Sequence, residues 1–347
     1  MGEYVGLDVS LKETAVCILN DTGGTVWRGR CLSDPGSMAS MIKQRAPMVE
    51  RVVLESGPLS TWHWHGLKER HVPVICVDAR SAKAALSGRV NKSDELDAEG
   101  LAQLARTGWY NEVRVKSLDS HRIRSVLVGR ARLVGIKRTL SNTIRGLMKA
   151  VGLLACRASH RGFADEVRSL IVAEPMLGAG IEALLAAWES ISRQIRTLDR
   201  LLSQTARHDP ICRHVLMTAP GVGVLTALAF KSIVDDPDRF RRGAEVAAYL
   251  GLVPRRSQSG EMDHMGRISR CGDAMLRGYL FEAATVALSR VRRPSSLTNW
   301  ARKLAKRAGQ GKARVALARK LTVILFTMWR TNQPFRWQPE EAPAPST

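Results

Sequence analysis

Apolar residues are spaced in two ways along the chain. Up to residue 111 they come in short runs closed by turn residues, alternating with stretches of helical spacing. The first run, Tyr4-Val5-Gly6-Leu7, reads as a buried strand that ends on Asp8. A β-rich run over 14–20, the turn Asp21-Thr22-Gly23-Gly24 and a third run over 25–31 complete a three-strand meander. Helical spacing follows over 37–44. Residues 51–55 form the next strand, ending on a second acid, Glu55, before the turn residues Ser56-Gly57-Pro58. A helix over 59–70, a strand over 73–78 and helices over 79–86 and 94–106 follow. Meandering strands and then alternating helices and strands predict a mixed sheet with helices on its faces.

Beyond residue 111 the spacing becomes helical. Val126, Leu133, Leu140 and Leu147 repeat every seven residues, beside a partly basic stripe of Arg130, Lys137, Ile144 and Val151. After a break at Gly178-Ala179-Gly180 a cleaner pattern follows: Ile181, Trp188, Ile195 and Leu202 in one position, Leu184, Ile191 and Leu198 in the other. Two long antiparallel helices, a coiled-coil spacer suited to dimerisation, are the simplest reading. Pro220-Gly221-Val222-Gly223 reads as a helix-hairpin-helix-like turn whose backbone N–H groups can face a phosphate, or as an ordinary turn between helices. Helix resumes near 244–250. Residues 251–273, glycine-punctuated, basic and rich in hydroxyls, read as a loop between helices. The expected domains are 1–111, 112–208, 209–335 and a disordered tail over 336–347.

Charge narrows the classes of function. Among 347 residues there are 53 Lys and Arg against 32 Asp and Glu, a net of +21, which calls for a polyanionic partner. Nucleic acid is favoured over an anionic membrane. Residues 112–171 alone carry thirteen basic against four acidic side chains, including Arg122, Arg124, Arg130, Arg132, Lys137 and Arg138. These make either a solvated helix face or a phosphate-contacting one. Residues 290–330 hold twelve Lys and Arg and no acid, with Trp300 and Trp329 interleaved and Trp337 beyond. That pattern suits single-stranded or structured RNA, through stacking and phosphate contact, and equally an amphipathic helix with snorkelling cations. The six cysteines form no CxxC pair and no zinc spacing, so they read as reduced, mostly buried thiols of a cytoplasmic protein. No signal peptide is visible, and no apolar run reaches the roughly 18 residues of a membrane span.

The acids carry the candidate chemistry. The strand order resembles the RNase H-like fold of RuvC-type nucleases, in which the first and fourth strands are neighbours and Asp8 and Glu55 converge. Asp94 and Asp97, three apart after the N-cap Ser93, share one helix face. Together the four make a carboxylate cluster that suits Mg²⁺ or Mn²⁺. Taken singly, Asp8 serves as a turn cap, and Asp94 and Asp97 as acids at a helix N-terminus.

A wider resemblance covers residues 4–285. Gly6-Leu7-Asp8-Val9-Ser10, Val53-Leu54-Glu55-Ser56, the run from Lys92 to Ala98, the turn at 220–223 and the run from Gly251 to Asp273 occur in the order found in DEDD insertion-sequence transposases. These pair a RuvC-like domain with a C-terminal transposase domain, and the resemblance extends to bridge-RNA-guided serine recombinases. It implies Ser259 as nucleophile, with Ser257 and Ser269 as poorer matches; a turn-supporting hydroxyl is the plain alternative. It implies metal at Asp8, Glu55, Asp94 and Asp97, in a site composed of both domains, often across protomers. Gly221, Gly223, Arg255, Arg256, Arg267, Arg270, Arg130 and Lys137 are the expected nucleic-acid contacts, and His264 is the one imidazole near the serine. Implied partners are donor and target DNA, a guide RNA, and further copies of the chain as dimer or tetramer. Two other functions fit the residues: a RuvC-like nuclease or junction resolvase that activates water, and a non-catalytic basic scaffold for nucleic acid.

Overall fold

The computed structural model describes residues 2–86, 93–156, 162–259 and 262–337. The chain forms two compact units, Met1–Leu118 and Asp119–Thr347.

Among the described residues, the first unit is built on five strands and four helices. β1 (Glu3–Val9), β2 (Glu13–Asn20) and β3 (Thr25–Leu32) form the expected meander, and α1 (Pro35–Arg45) leads to β4 (Val49–Glu55). α2 (Ser60–Lys68), β5 (Val74–Val77), α3 (Ala79–Leu86) and α4 (Asp94–Thr107) follow. The sheet order is β3-β2-β1-β4-β5, with β1, β2 and β3 antiparallel and β1, β4 and β5 parallel. Short turns permit the antiparallel pairs, whereas the parallel steps need a helical crossover. This arrangement is that of an RNase H-like mixed sheet.

β1 lies centrally, so both of its faces are covered. Val5 and Leu7, with Val52 and Leu54 beside them, pack on Met38, Ile42 and Leu67 from α1 and α2. Each such side chain contributes about 1.5–3 kcal/mol when fully buried. The opposite face meets α4: Val53 packs on Leu101 and Leu104, and Ala15, Cys17 and Leu19 on Ala98 and Ala102. Alanines let the helix come close, and Gly6 lies beneath it. A Cβ there would stand 2.0 Å from the Ala98 carbonyl oxygen.

The second unit begins with two long helices, α5 (Leu118–Lys149) and α7 (Pro175–His208), with the short α6 (Phe163–Ile171) between them. They run antiparallel, because Arg130 reaches Asp199, Ser141 meets Trp188, and Ile144 and Met148 pack with Ile181 and Leu185. The two expected stripes of α5 are buried unequally. Leu127, Ser141, Ile144 and Met148 are buried, whereas Val126, Leu133 and Leu140 are half-buried and Leu147 is exposed. The stripe that looked imperfect in sequence therefore joins the seam, and its cations are accommodated by specific partners.

The remaining helices surround one core. α8 (Val224–Val234), α9 (Gly243–Tyr249), α10 (Ala274–Ser289), α11 (Ser296–Ala308) and α12 (Gln310–Thr331) gather Phe230, Leu280, Leu317, Leu321 and Leu325. Two expectations change here. Residues 251–273 are not simply a loop: β6 (Pro254–Ser259) and β7 (Met262–Ile268) pair as an antiparallel hairpin. The sequence lacked apolar alternation because the described side chains from Arg255 to Arg267 are exposed. Trp329 packs edge-on to Phe230 at 6.2 Å between ring centroids and belongs to the core, so it offers no stacking platform.

Six cysteines are free, with Cys17, Cys76 and Cys212 buried, Cys31 and Cys156 half-buried and Cys271 exposed. Burial pushes the Cys76 thiol up to about 11 and the Cys212 thiol up to about 12, so both stay protonated and unreactive at neutral pH. Among the described residues no helix is long and apolar enough to cross a membrane. Of the expected tail over 336–347, residues 338–347 lie outside the described residues, as do Asn91, Lys92, Gly260 and Glu261.

Candidate active site

In the first unit, two acids stand at the ends of neighbouring central strands and two in the first turn of the helix that covers them. Leu7 pairs with Leu54 across the parallel β1–β4 ladder, and Asp8 and Glu55 each come one residue later. Alternation puts Asp8 on the face of Gly6, and Glu55 on the face of Val53. That is the face covered by α4. The helix runs antiparallel to β1: its last turn is fixed near the start of β4, where Arg51 donates to the Ala105 carbonyl at 2.8 Å. Its first turn lies toward Ala15 and Arg30, the residues level with Asp8, and Arg30 stands 3.7 Å from Asp94. Ser93 caps the helix, its hydroxyl accepting from the Leu96 N–H at 3.3 Å. Asp94, Glu95 and Asp97 all sit in the first turn, where the helix dipole favours negative charge.

The donor set is entirely carboxylate oxygen, which suits a hard divalent cation. As they stand, no three His, Cys, Asp or Glu side chains among the described residues are close enough together to hold a metal ion. Sequence reasoning overlooked Gly6 as the residue that sets the height of α4 above the sheet. An isolated glycine inside a strand was the available signal for a close backbone approach.

In the second unit, Ser259 is the last residue of β6 and pairs with Met262. Ser257 pairs with His264, two steps further from the turn. Ser269 lies beyond β7, where its N–H donates to the Val253 carbonyl at 2.8 Å and helps close the hairpin base. Four arginines flank the hairpin. Arg256 forms a two-pronged bond with Asp263, 2.7 Å at each prong, which fixes its guanidinium across the strands. Arg255 donates to the Ser269 carbonyl at 3.2 Å, while Arg267 and Arg270 are exposed. Asp273 anchors the exit by capping α10 through the Leu276 N–H and accepting from Arg124 at 2.8 Å.

The other expected nucleic-acid contacts have structural partners or positions of their own. Arg130 Nε donates to Asp199 at 2.5 Å, with the arginine side chain 18% exposed. The Lys137 ammonium lies 4.3 Å from the centroid of Trp188, and burial lowers its pKa. Both cations serve the packing of α5 on α7. Gly221 has φ +78°, and a Cβ on it would approach the Ala283 carbonyl oxygen to 2.1 Å, so this glycine lets the turn pack on α10. Gly223 is the N-cap of α8 and has open space around it.

An RNase H-like sheet with acids at the ends of its central strands, joined in one chain to a basic helical unit, suits a protein that acts on nucleic-acid strands. Comparison with known proteins makes the class specific. Residues 5–152 match the DEDD transposase domain of IS110, and residues 213–301 match the transposase domain of the IS116/IS110/IS902 family. The transposase for insertion sequence element IS1111A of Coxiella burnetii is 26% identical over 341 residues, covering 96% of this chain and 91% of that protein. The transposase for insertion sequence element IS1328 of Yersinia enterocolitica is 25% identical, covering 69% of this chain and 72% of its own length. A pilin gene-inverting protein of Moraxella bovis is 33% identical over 153 residues, 42% of this chain and 46% of that protein. The chain belongs to the IS110/IS116 family of insertion-sequence transposases and is a DNA transposase. The DEDD domain carries a general dependence on divalent metal. This is a DEDD family and not a serine recombinase family, which corrects that part of the wider resemblance.

Proposed function

We propose that this transposase cuts and exchanges DNA strands through a covalent Ser259–phosphate intermediate, with Mg²⁺ or Mn²⁺ held by Asp8, Glu55, Asp94 and Asp97. The observation that carries the reading is the placement of Asp8 and Glu55 at the same end of β1 and β4, on the face covered by α4, with Asp94 and Asp97 in the first turn of that helix. The placement of Ser259 on an arginine-flanked hairpin supports its role. When bound, the cation stabilises the charge that develops on the phosphate and lowers the pKa of a nearby hydroxyl.

The serine Oγ bonds to phosphorus as the bond from phosphorus to the leaving strand breaks, and the serine proton ends on the leaving hydroxyl. A hydroxyl of the second DNA then attacks the same phosphorus and restores the serine. One phosphodiester is exchanged for another, so no nucleotide is consumed. Arg255, Arg267 and Arg270, toward the base of the hairpin, pair with phosphates of the strand away from the scissile one, and Arg256, fixed by Asp263, shapes the hairpin. Gly223 offers a further backbone contact to DNA. A guide RNA selects donor and target by base pairing, in keeping with the +21 charge. The seven-residue repeat continued by Leu133, Leu140 and the exposed Leu147 supports self-association as a dimer or tetramer.

Incubating end-labelled element DNA with protein and Mg²⁺, then denaturing in detergent, tests the route. Wild type yields a DNA–protein adduct, and both Ser259→Ala and Asp8→Asn lose it by roughly three or more orders of magnitude while retaining DNA binding. Cleavage by Ser259→Ala at the wild-type rate makes water the nucleophile. Undiminished cleavage by Asp8→Asn removes the carboxylates from the reaction. RNase treatment that leaves target choice unchanged removes the guide.

A further inference from the structure

At the base of the β6–β7 hairpin, a groove of about 900 Å³ runs between β7 and α12. Its floor is apolar, formed by Leu252, Pro254, Ile268, Val315 and Val323. Its rim is cationic: Arg267, Arg270, Lys312, Arg319 and Lys320 line it, with no acidic side chain among the described lining residues. Arg267, Arg270, Lys312 and Arg319 have no side-chain partner among the described residues, in contrast to Arg124, Arg130 and Arg256, each matched to a carboxylate. Trp300 of α11 also lines the groove, with the Lys320 ammonium 4.0 Å from its ring centroid.

Crowded cations without counter-charge repel one another until a polyanion enters. A duplex would meet only the rim, since its bases are paired inside and its outer surface is phosphate. An unpaired strand uses both parts: phosphates on the cations, and a base on the apolar floor and the indole. A phosphate at the rim draws the Lys320 ammonium off Trp300 and uncovers the ring for stacking.

We propose that this groove holds an unpaired DNA strand and leads it toward the hairpin turn. The assignment to DNA rests on the reading of Ser259 given above. At about 3.3 Å per residue, the serine stands roughly 17 Å along β6 from Pro254 in the groove wall.

The test uses the full chain carrying Ser259→Ala, so that binding is read without chemistry. Fluorescence anisotropy at fixed salt compares a labelled single-stranded DNA, an RNA of the same sequence and the DNA duplex. Trp300→Ala is expected to weaken single-stranded DNA binding roughly tenfold or more, with Trp300→Phe restoring most of it and duplex binding unchanged. Because Trp300 also touches the core, the exposed pair Lys312→Glu with Arg319→Glu supplies a second arm. It is expected to lower affinity for the single strand more than for the duplex, at an unchanged melting temperature. Equal losses for single strand and duplex in both arms overturn the groove's preference. A Trp300-dependent affinity higher for RNA than for DNA overturns the DNA assignment. Loss of the adduct in Ser259→Ala with groove binding intact separates the chemistry from the groove.

Discussion

At the scale of single residues, three glycines and one ion pair test how side chains position the site. Gly6→Ala places a methyl against the Ala98 carbonyl and is expected to cost about 1–3 kcal/mol, read by chemical denaturation, because α4 must lift. Gly221→Ala meets both a positive φ and the Ala283 carbonyl, so it should destabilise by a similar amount or more, whereas Gly223→Ala should leave the melting temperature within a degree or two. A loss of DNA affinity in Gly223→Ala alone would assign a phosphate contact to that turn. Asp199→Ala leaves Arg130 half-buried without its partner and is expected to cost about 1–3 kcal/mol by the same measurement. Asp8 and Glu55 were legible because each closes an apolar run. Arg130 and Lys137 were not, because their partners Asp199 and Trp188 lie 69 and 51 residues away, and a distant partner leaves no local pattern.

At the scale of elements, legibility followed burial. The five strands and α4 were readable because one or both of their faces enter a core, which imposes a period on the sequence. The hairpin was not readable, since its described side chains face solvent and leave the spacing unconstrained. α5 shows an intermediate case. Its seven-residue repeat was visible, but which stripe enters the seam depended on a cation–π contact and an ion pair. The exposed hairpin also implies that stability resides elsewhere. Replacing residues 256–265 with a short glycine-serine turn should shift the melting temperature by no more than a few degrees while abolishing strand cleavage.

At the scale of the molecule, the +21 charge was the earliest and most direct indication of a nucleic-acid partner, though it named no site. The structure sorts that charge: some cations are matched to acids inside the helical unit, and others line the groove without a counter-ion. Cations of the second kind are the ones that release bound salt on meeting DNA. In a plot of log affinity against log salt for single-stranded DNA, Lys312→Glu with Arg319→Glu should reduce the slope by about 2, whereas Arg130→Ala should leave it nearly unchanged.

The antiparallel seating of α4 over Gly6 also sets a clock. β1 leaves the ribosome first, yet its parallel neighbour ends at residue 55 and the helix that covers Gly6 ends at residue 107. At about 5–20 residues per second, the α4 face of the strand bearing Asp8 stays bare for roughly 5–20 s of synthesis. A chain interrupted before residue 94 therefore leaves the α4 face of its sheet uncovered, a product suited to aggregation or degradation.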